Sequence, residues 1–293
     1  MLVKCWGTRG SIPTPGPDTV RYGGNTTCLE VRTDEDELII LDAGSGIRPL
    51  GMSLLGQMPL DAPIFITHTH WDHIQGLPFF VPLFVPGNKL TLYSAPDPVT
   101  MKTTRDALSV QMEYRYFPVR EAELKADIQY ETLLEGQVIK TRTATVTPLI
   151  MNHPVLCYGY KIENNGKAVF FSGDHEPHYN IYKPEDDDFR EYEKIIQEKS
   201  RAISAFLRGV DLAVMDSQYT EADYRTKVGW GHSTFDKCIA LAAGAKVGRL
   251  LLTHHEPTRS DDALDAVYED LAVRYKDSGL DFAIAVEGEA YEI

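Results

Sequence analysis

The chain has 293 residues, 43% hydrophobic and 25% charged, with a formal net charge of −14. It is long enough to bury a sizeable core as one large or two small domains. No stretch approaches the roughly 20 apolar residues of a membrane span, no basic segment followed by an apolar one marks a secretory signal, and the acidic balance disfavours a large polyanionic partner, which a basic surface would recognise.

In chain order, short apolar runs predict buried strands over 2–6, 28–32, 38–41, 64–67, 89–93, 144–150, 158–162, 168–171, 212–215, 250–253 and 282–286. Helical patterns over 46–55, 98–108, 189–207, 234–243 and 261–276 lie between them. Strands early and late in both halves, with helices between, predict two packed sheets covered by helices: a four-layer αββα sandwich of the α/β class. The echo of Ile66-Thr67-His68 in Leu252-Thr253-His254 fits a plan of two halves. The expectation is one domain over 1–293, with a helical insertion at about 175–208. The acidic run Glu185-Asp186-Asp187-Asp188 reads as a solvated helix start, where carboxylates suit the helix dipole. Cys5, Cys28, Cys157 and Cys238 form no Cys-x-x-Cys pair. Scattered thiols of this kind point to a soluble, cytoplasmic protein, although the fold could still pair two of them.

The densest chemical signal is Thr67-His68-Thr69-His70-Trp71-Asp72-His73. In an extended segment His68 and His70 share a face and can meet one ion. Asp72 and His73 follow, where a turn or helix start can aim them back. Three imidazoles and a carboxylate this close suit zinc, manganese or iron(II). They do not complete two sites. Further candidates follow apolar runs: His153, Asp174 and His254. Each alone reads more readily as a capping or core residue.

Taken as a series, His-x-His-x-Asp-His followed by His, Asp and His resembles the metallo-β-lactamase superfamily, over a span from Gly7 to about Asp262. The resemblance implies an αββα fold and a hydrolase with two divalent metal ions. His68, His70 and His153 would hold one ion, Asp72, His73 and His254 the other, and Asp174 would bridge them. His255 competes with His254 for its role. Asp42, in Leu41-Asp42-Ala43-Gly44, reads either as a carboxylate that orients a ligand histidine or as a helix cap.

Two metals about 3.5–4 Å apart can generate a bridging hydroxide and clamp the attacked group, so no Ser or Cys nucleophile is needed. No Gly-x-Ser-x-Gly or phosphate-binding glycine loop is present. His232, in Gly229-Trp230-Gly231-His232-Ser233-Thr234, is similar to the histidine that assists the leaving oxygen in ribonuclease Z and related phosphodiesterases of the superfamily. Asp216 stands where that family has Glu, and a His with a carboxylate partner suits general acid catalysis. The implied catalytic set is therefore Asp72, His232 and Asp216.

The chain departs from ribonuclease Z in two places. It has Asp42-Ala43-Gly44-Ser45-Gly46 where that family has Asp-Cys-Gly-Glu-Gly, and it has an acidic helical insertion and no basic arm for tRNA. A small phosphodiester, such as a cyclic nucleotide, is the expected substrate. A tRNA 3′-processing endonuclease, an ester, thioester or lactone hydrolase of the same fold, and a non-catalytic metal-binding domain are the alternatives. Arg9 or Asn25 would contact the phosphate or else order their loops. Trp71, Trp230 and Tyr219 would stack a base or simply pack. Members of the family are often homodimers, which leaves a homodimer open for this chain.

Overall fold

The computed structural model describes residues 1–99 and 102–293. Its strands and longer helices, in chain order, are β1 (Leu2–Gly7), β2 (Cys28–Arg32), β3 (Leu38–Leu41), α1 (Ile47–Ser53), β4 (Asp61–Phe65), α2 (Trp71–Ile74), β5 (Lys89–Ser94), α3 (Thr104–Gln111), β6 (Asp127–Thr132), β7 (Ile139–Lys140), β8 (Thr145–Met151), β9 (Cys157–Asn164), β10 (Lys167–Phe171), α4 (Phe189–Phe206), β11 (Leu212–Asp216), α5 (Glu221–Tyr224), α6 (Phe235–Ala245), β12 (Arg249–Thr253), α7 (Asp261–Arg274), β13 (Asp281–Ile284) and β14 (Ala290–Glu292).

They form two seven-stranded sheets, ordered β14-β1-β2-β3-β4-β5-β6 and β13-β12-β11-β10-β9-β8-β7. Alternate side chains explain the layering. Val3, Cys5, Val31, Ile39, Leu41 and Phe65 face inward from the first sheet and meet Val146, Tyr160, Ile162, Val169, Phe171 and Val214 of the second. The opposite faces also bury apolar residues. Ile40, Ile64 and Leu92 pack with Ile47 and Leu50 of α1, and Phe170, Ala213 and Leu252 pack with Ile203 of α4, Ile239 of α6 and Leu264 of α7. Helix, sheet, sheet, helix is the expected four-layer order.

β3 through β6 run parallel, as do β10 through β13. Parallel strands place their carboxyl ends along one edge, where ligand sites of α/β sheets collect. Here both sheets turn that edge to the same crevice. At the other end the turn between β2 and β3 is tied to the turn between β9 and β10. Asn164 and Asn165 donate to Glu35, and Lys167 pairs with Asp34 at 3.1 Å.

Several boundaries differ from expectation for physical reasons. β4 ends at Phe65, not at Thr67, so His68 and His70 lie beyond the strand. The helix expected over 98–108 begins at Thr104, and residues 100–101 within that range lie outside the described residues. β6, β7 and β14 were not expected. β6 is a mostly polar edge strand, β7 has two residues and β14 three, too little apolar sequence to register. The acidic run before α4 is exposed, and Asp188 makes no side-chain cap.

Candidate metal centre

After β4 the chain bends at Thr67 and enters α2, with His70 at its N-cap position. That helix start brings Asp72 and His73 back toward the strand ends. Ile66 O, just before the turn, accepts a bond from the buried Tyr160 hydroxyl at 2.6 Å, which pins the two sheets together at this point. Asp174 follows β10, Asp216 ends β11 and His254 follows β12, so neighbouring parallel strands deliver one side chain each. His254 has φ 62° and Asp42 φ 61°, a backbone region that non-glycine residues occupy at a cost and that clusters at working sites. Gly10 is required beside His254, since a Cβ there would lie 2.5 Å from the imidazole.

Two clusters converge. His68, His70, His153 and Asp174 each place one ligand atom within 4.8 Å of the others, and so do Asp72, His73, His254 and Asp174. The Asp174 carboxylate belongs to both. Its Oδ2 lies 3.5 Å from His68 Nε2 and 3.9 Å from His153 Nε2, while its Oδ1 lies 3.1 Å from His73 Nε2 and 3.2 Å from His254 Nε2. Asp72 Oδ2 is 3.2 Å from His254 Nε2 and accepts the Ser11 N–H at 2.7 Å. A third cluster joins Asp174, Asp216, His232 and His254. There His232 Nδ1 lies 3.0 Å from Asp216 Oδ2 and its ring stacks on His254 at 4.8 Å.

The donor set fits divalent cations. His68 Nε2, His73 Nε2 and Asp174 Oδ1 are buried without a hydrogen-bond partner, an arrangement that costs about 1–3 kcal/mol per atom unless something else satisfies it. Charge points the same way. Burial drives His68 well below the usual histidine value and His70 down to about 4, leaving the neutral imidazoles that ligate metals. Burial also disfavours charge on His254, yet Asp174, Asp72 and Asp216 outweigh it and push the ring up to about 9. Three carboxylates around one imidazole call for positive charge, which a cation supplies better than a proton.

Hydrogen bonds around the clusters involve the residues whose roles the sequence leaves open. Asp42 accepts from His73 Nδ1 at 2.7 Å and from the Thr67 backbone and hydroxyl at 2.7 and 2.9 Å. It orients His73, and α1 instead begins after Gly46 without a side-chain cap. His255 turns away to bond Ala285 O at 2.9 Å. Arg9 is fully buried and donates to the carbonyls of Gly23, Glu256 and Arg259. Asn25 donates to Glu287 at 2.6 Å and accepts from Ser45 at 2.9 Å. Both residues are spent on ordering loops. Tyr219 is buried, whereas Trp71 and Trp230 are 62% and 57% exposed.

Sequence reasoning missed Gln218, whose Oε1 faces His254 Nδ1 at 3.1 Å, and Glu176. The buried Glu176 carboxylate accepts from the Tyr224 hydroxyl at 2.6 Å, Gly229 N–H at 2.8 Å and Gly231 N–H at 2.9 Å. Gly231 O in turn accepts from His153 Nδ1 at 2.9 Å. One carboxylate thus anchors the loop that carries His232 and steadies His153. A lone Glu two residues after Asp174 offered no sequence signal for this.

Two imidazole–carboxylate clusters sharing one aspartate, at the carboxyl edge of an αββα sandwich, define a metal-dependent hydrolase. Residues 38–255 match the beta-lactamase superfamily domain, and the chain belongs to that family. Among curated relatives it is 29% identical to ribonuclease BN of Enterobacter sp. (strain 638), over 65% of this chain and 69% of that one. It is 27% identical to ribonuclease Z of Thermoplasma acidophilum, over 88% of this chain and 87% of that one. Among solved structures, the metallo-beta-lactamase fold protein YhfI from Bacillus subtilis superposes with a TM-score of 0.68 at 18% identity, covering 99% of both chains. No described helix is long and apolar enough to cross a membrane.

Proposed function

We propose that the chain is a two-metal phosphodiesterase that hydrolyses a small phosphodiester such as a cyclic nucleotide. The observation that carries this reading is His232, held by Asp216 at 3.0 Å and abutting the shared Asp174 at 3.8 Å. Ester and lactone hydrolysis has less use for a carboxylate-supported imidazole at that place. Divalent ions held here would supply Lewis-acid charge to the phosphate and an activated water at neutral pH; zinc or manganese suits the donors, with iron(II) a third choice.

His68, His70 and His153 would hold one ion and Asp72, His73 and His254 the other, with Asp174 within reach of both sets. Asp72, fixed by the Ser11 N–H, would be both a ligand and the group that orients or deprotonates the attacking water. With His232 Nδ1–H donating to Asp216, Nε2 carries the proton that goes to the departing alkoxide. Asp216 stabilises the imidazolium and is itself fixed by the backbone N–H groups of His175 and Gln218. We read residues 1–293 as one hydrolase domain with an insertion near 175–208. A cytoplasmic setting belongs to the same proposal, supported by four buried free cysteines.

Hydrolysis of bis(p-nitrophenyl) phosphate by the chelated protein, before and after adding zinc or manganese, tests the reading. Metal-restored turnover is expected. No turnover with any metal, together with cleavage of a thioester or lactone, would move the substrate to carboxyl chemistry. A tRNA 3′-processing activity is the second reading, favoured by the relatives named ribonuclease Z and BN. It requires strong, salt-dependent binding of precursor tRNA, and a net charge of −14 opposes it.

A further inference from the structure

A cavity of about 270 Å³ opens directly beside His153, between the metal centre and the insertion that precedes and includes α4. His153 forms part of its wall, and the same ring lies 3.1 Å from His70 Nδ1. His153 is thus the residue of the lining that also belongs to the metal clusters. Its other walls mix polar and aromatic groups: Asn152 and Glu176, His178, Tyr179 and Ile181 from the loop after Glu176, and Tyr192 from α4.

The rings are held in place. Tyr192 packs edge-on against Tyr182 at 5.4 Å. Asn180 ties its loop to α4 through Phe189 O at 3.0 Å and Glu193 at 3.1 Å. The Tyr179 hydroxyl approaches Gly229 so closely that a Cβ there would stand 3.1 Å away. Among the described residues, no lysine or arginine lines the cavity. Glu176 reaches it, but both its oxygens are occupied by Tyr224, Gly229 and Gly231, and burial keeps His178 below the usual histidine value. The lining therefore offers aromatic faces and little free charge, which suits a neutral planar group and not a second phosphate. The neighbouring cavity, lined in part by His68, has no aromatic ring of Tyr, Phe or Trp among its described walls and mixes aliphatic residues such as Val155 and Leu156 with Asp97, Lys102 and Thr103.

We propose that the insertion-side cavity is a nucleobase subsite, in which Tyr179 and Tyr192 hold the base of a nucleoside phosphodiester while its phosphate lies over the metal centre. This rests on the phosphodiesterase reading and narrows it to nucleotides. It also explains why the insertion is there, since it supplies the specificity wall that the two sheets alone lack. Aromatic faces tolerate any base, so the subsite selects nucleosides over other alcohols without choosing strongly among bases.

The test compares adenosine 2′,3′-cyclic phosphate with glycerol 1,2-cyclic phosphate, which presents the same five-membered cyclic diester without a base. Both are followed by phosphorus NMR with the metal-loaded protein. Wild type is expected to favour the adenosine ester in kcat/KM. In Tyr179→Ala and Tyr192→Ala that ratio should fall at least ~5-fold each, the scale of one lost stacking face, and in Tyr192→Phe it should persist. The ratio is internally controlled, because a misfolded fraction lowers both rates alike. A ratio unchanged within twofold in both alanine variants would overturn the subsite while leaving the phosphodiesterase intact. Wild type that cleaves neither ester after metal loading would instead sink the reading beneath it, and the subsite with it.

Discussion

The two halves of the sandwich reach the same crevice in different ways. The first sheet contributes His68, His70, Asp72 and His73 from a single turn after β4, and Asp42 stands behind them. The second contributes His153, Asp174, Asp216, His232 and His254 one at a time, from separate strand ends and one loop. A local cluster depends on one helix start. A dispersed one depends on the register of β10, β11 and β12 and on whatever holds the loop around His232. The first half thus concentrates chemistry in sequence, and the second concentrates it only in space.

The comparison can be broken most severely at Asp174, the residue both clusters share. Asp174→Ala should lower metal-restored phosphodiester turnover by more than ~10⁴-fold, beyond what loss of a general acid alone explains. Metal analysis by mass spectrometry should show fewer ions per chain. Full metal content with unchanged turnover would mean the two clusters work separately.

Glu176 sharpens the contrast: Asp42 of the first half bonds His73 directly, whereas Glu176 steadies His153 and the loop around His232 only through backbone amides and Tyr224. Glu176→Gln keeps the shape but weakens the acceptors for Gly229 and Gly231. A loss of ~10–100-fold in kcat, the scale for residues that orient metal ligands, is expected with the fold retained by circular dichroism. An unchanged kcat would leave the loop self-supporting.

At the opposite end of the sandwich the effects fall on stability alone. The buried Glu37 carboxylate gathers Thr141 Oγ1, Arg142 N–H, Thr143 N–H and Thr143 Oγ1, and so ties the first sheet to the β7–β8 turn. Glu37→Ala should cost about 2–4 kcal/mol by urea unfolding without changing activity per folded molecule. The smallest effect belongs to Asp34. The amino terminus at 2.6 Å, then Lys167, hold its carboxyl down to about 2. Its folded pKa lies below the unfolded value of about 3.9, so its stabilisation is present above that value and is lost as pH falls through about 2. The gap in urea midpoint between wild type and Asp34→Asn should therefore be visible at pH 7, shrink below about pH 4 and close near pH 2. A gap that persists at the acid end would assign the effect to packing.

Legibility in the sequence follows the same division. The run from His68 to His73 announced itself because its donors are close in the chain. His153, Asp174 and His254 gained weight only as an ordered series after apolar strands, and Asp42 could not be separated from a helix cap until its 2.7 Å contact with His73 was seen. The central strands were readable because both their faces are apolar. β6 was not, since its burial is slight and its sequence polar. Glu176 was invisible because its partner Gly231 lies 55 residues away, and nothing local marks a carboxylate that bonds backbone amides. Arg9 stayed open between phosphate ligand and loop tie, because an arginine in a glycine-rich turn reads the same whether it faces solvent or, as here, is buried against three carbonyls.

The central claim is that His232, held by Asp216, protonates the leaving oxygen beside the metal pair. The most direct measurement compares His232→Ala with wild type, both metal-loaded, on methyl p-nitrophenyl phosphate and methyl phenyl phosphate. The account predicts a loss of ~10²–10⁴-fold on the phenyl ester, whose leaving oxygen needs a proton, and a much smaller loss on the nitrophenyl ester, whose leaving group departs as a stable anion, with metal content unchanged. Equal losses on both esters, or none on either, would contradict it.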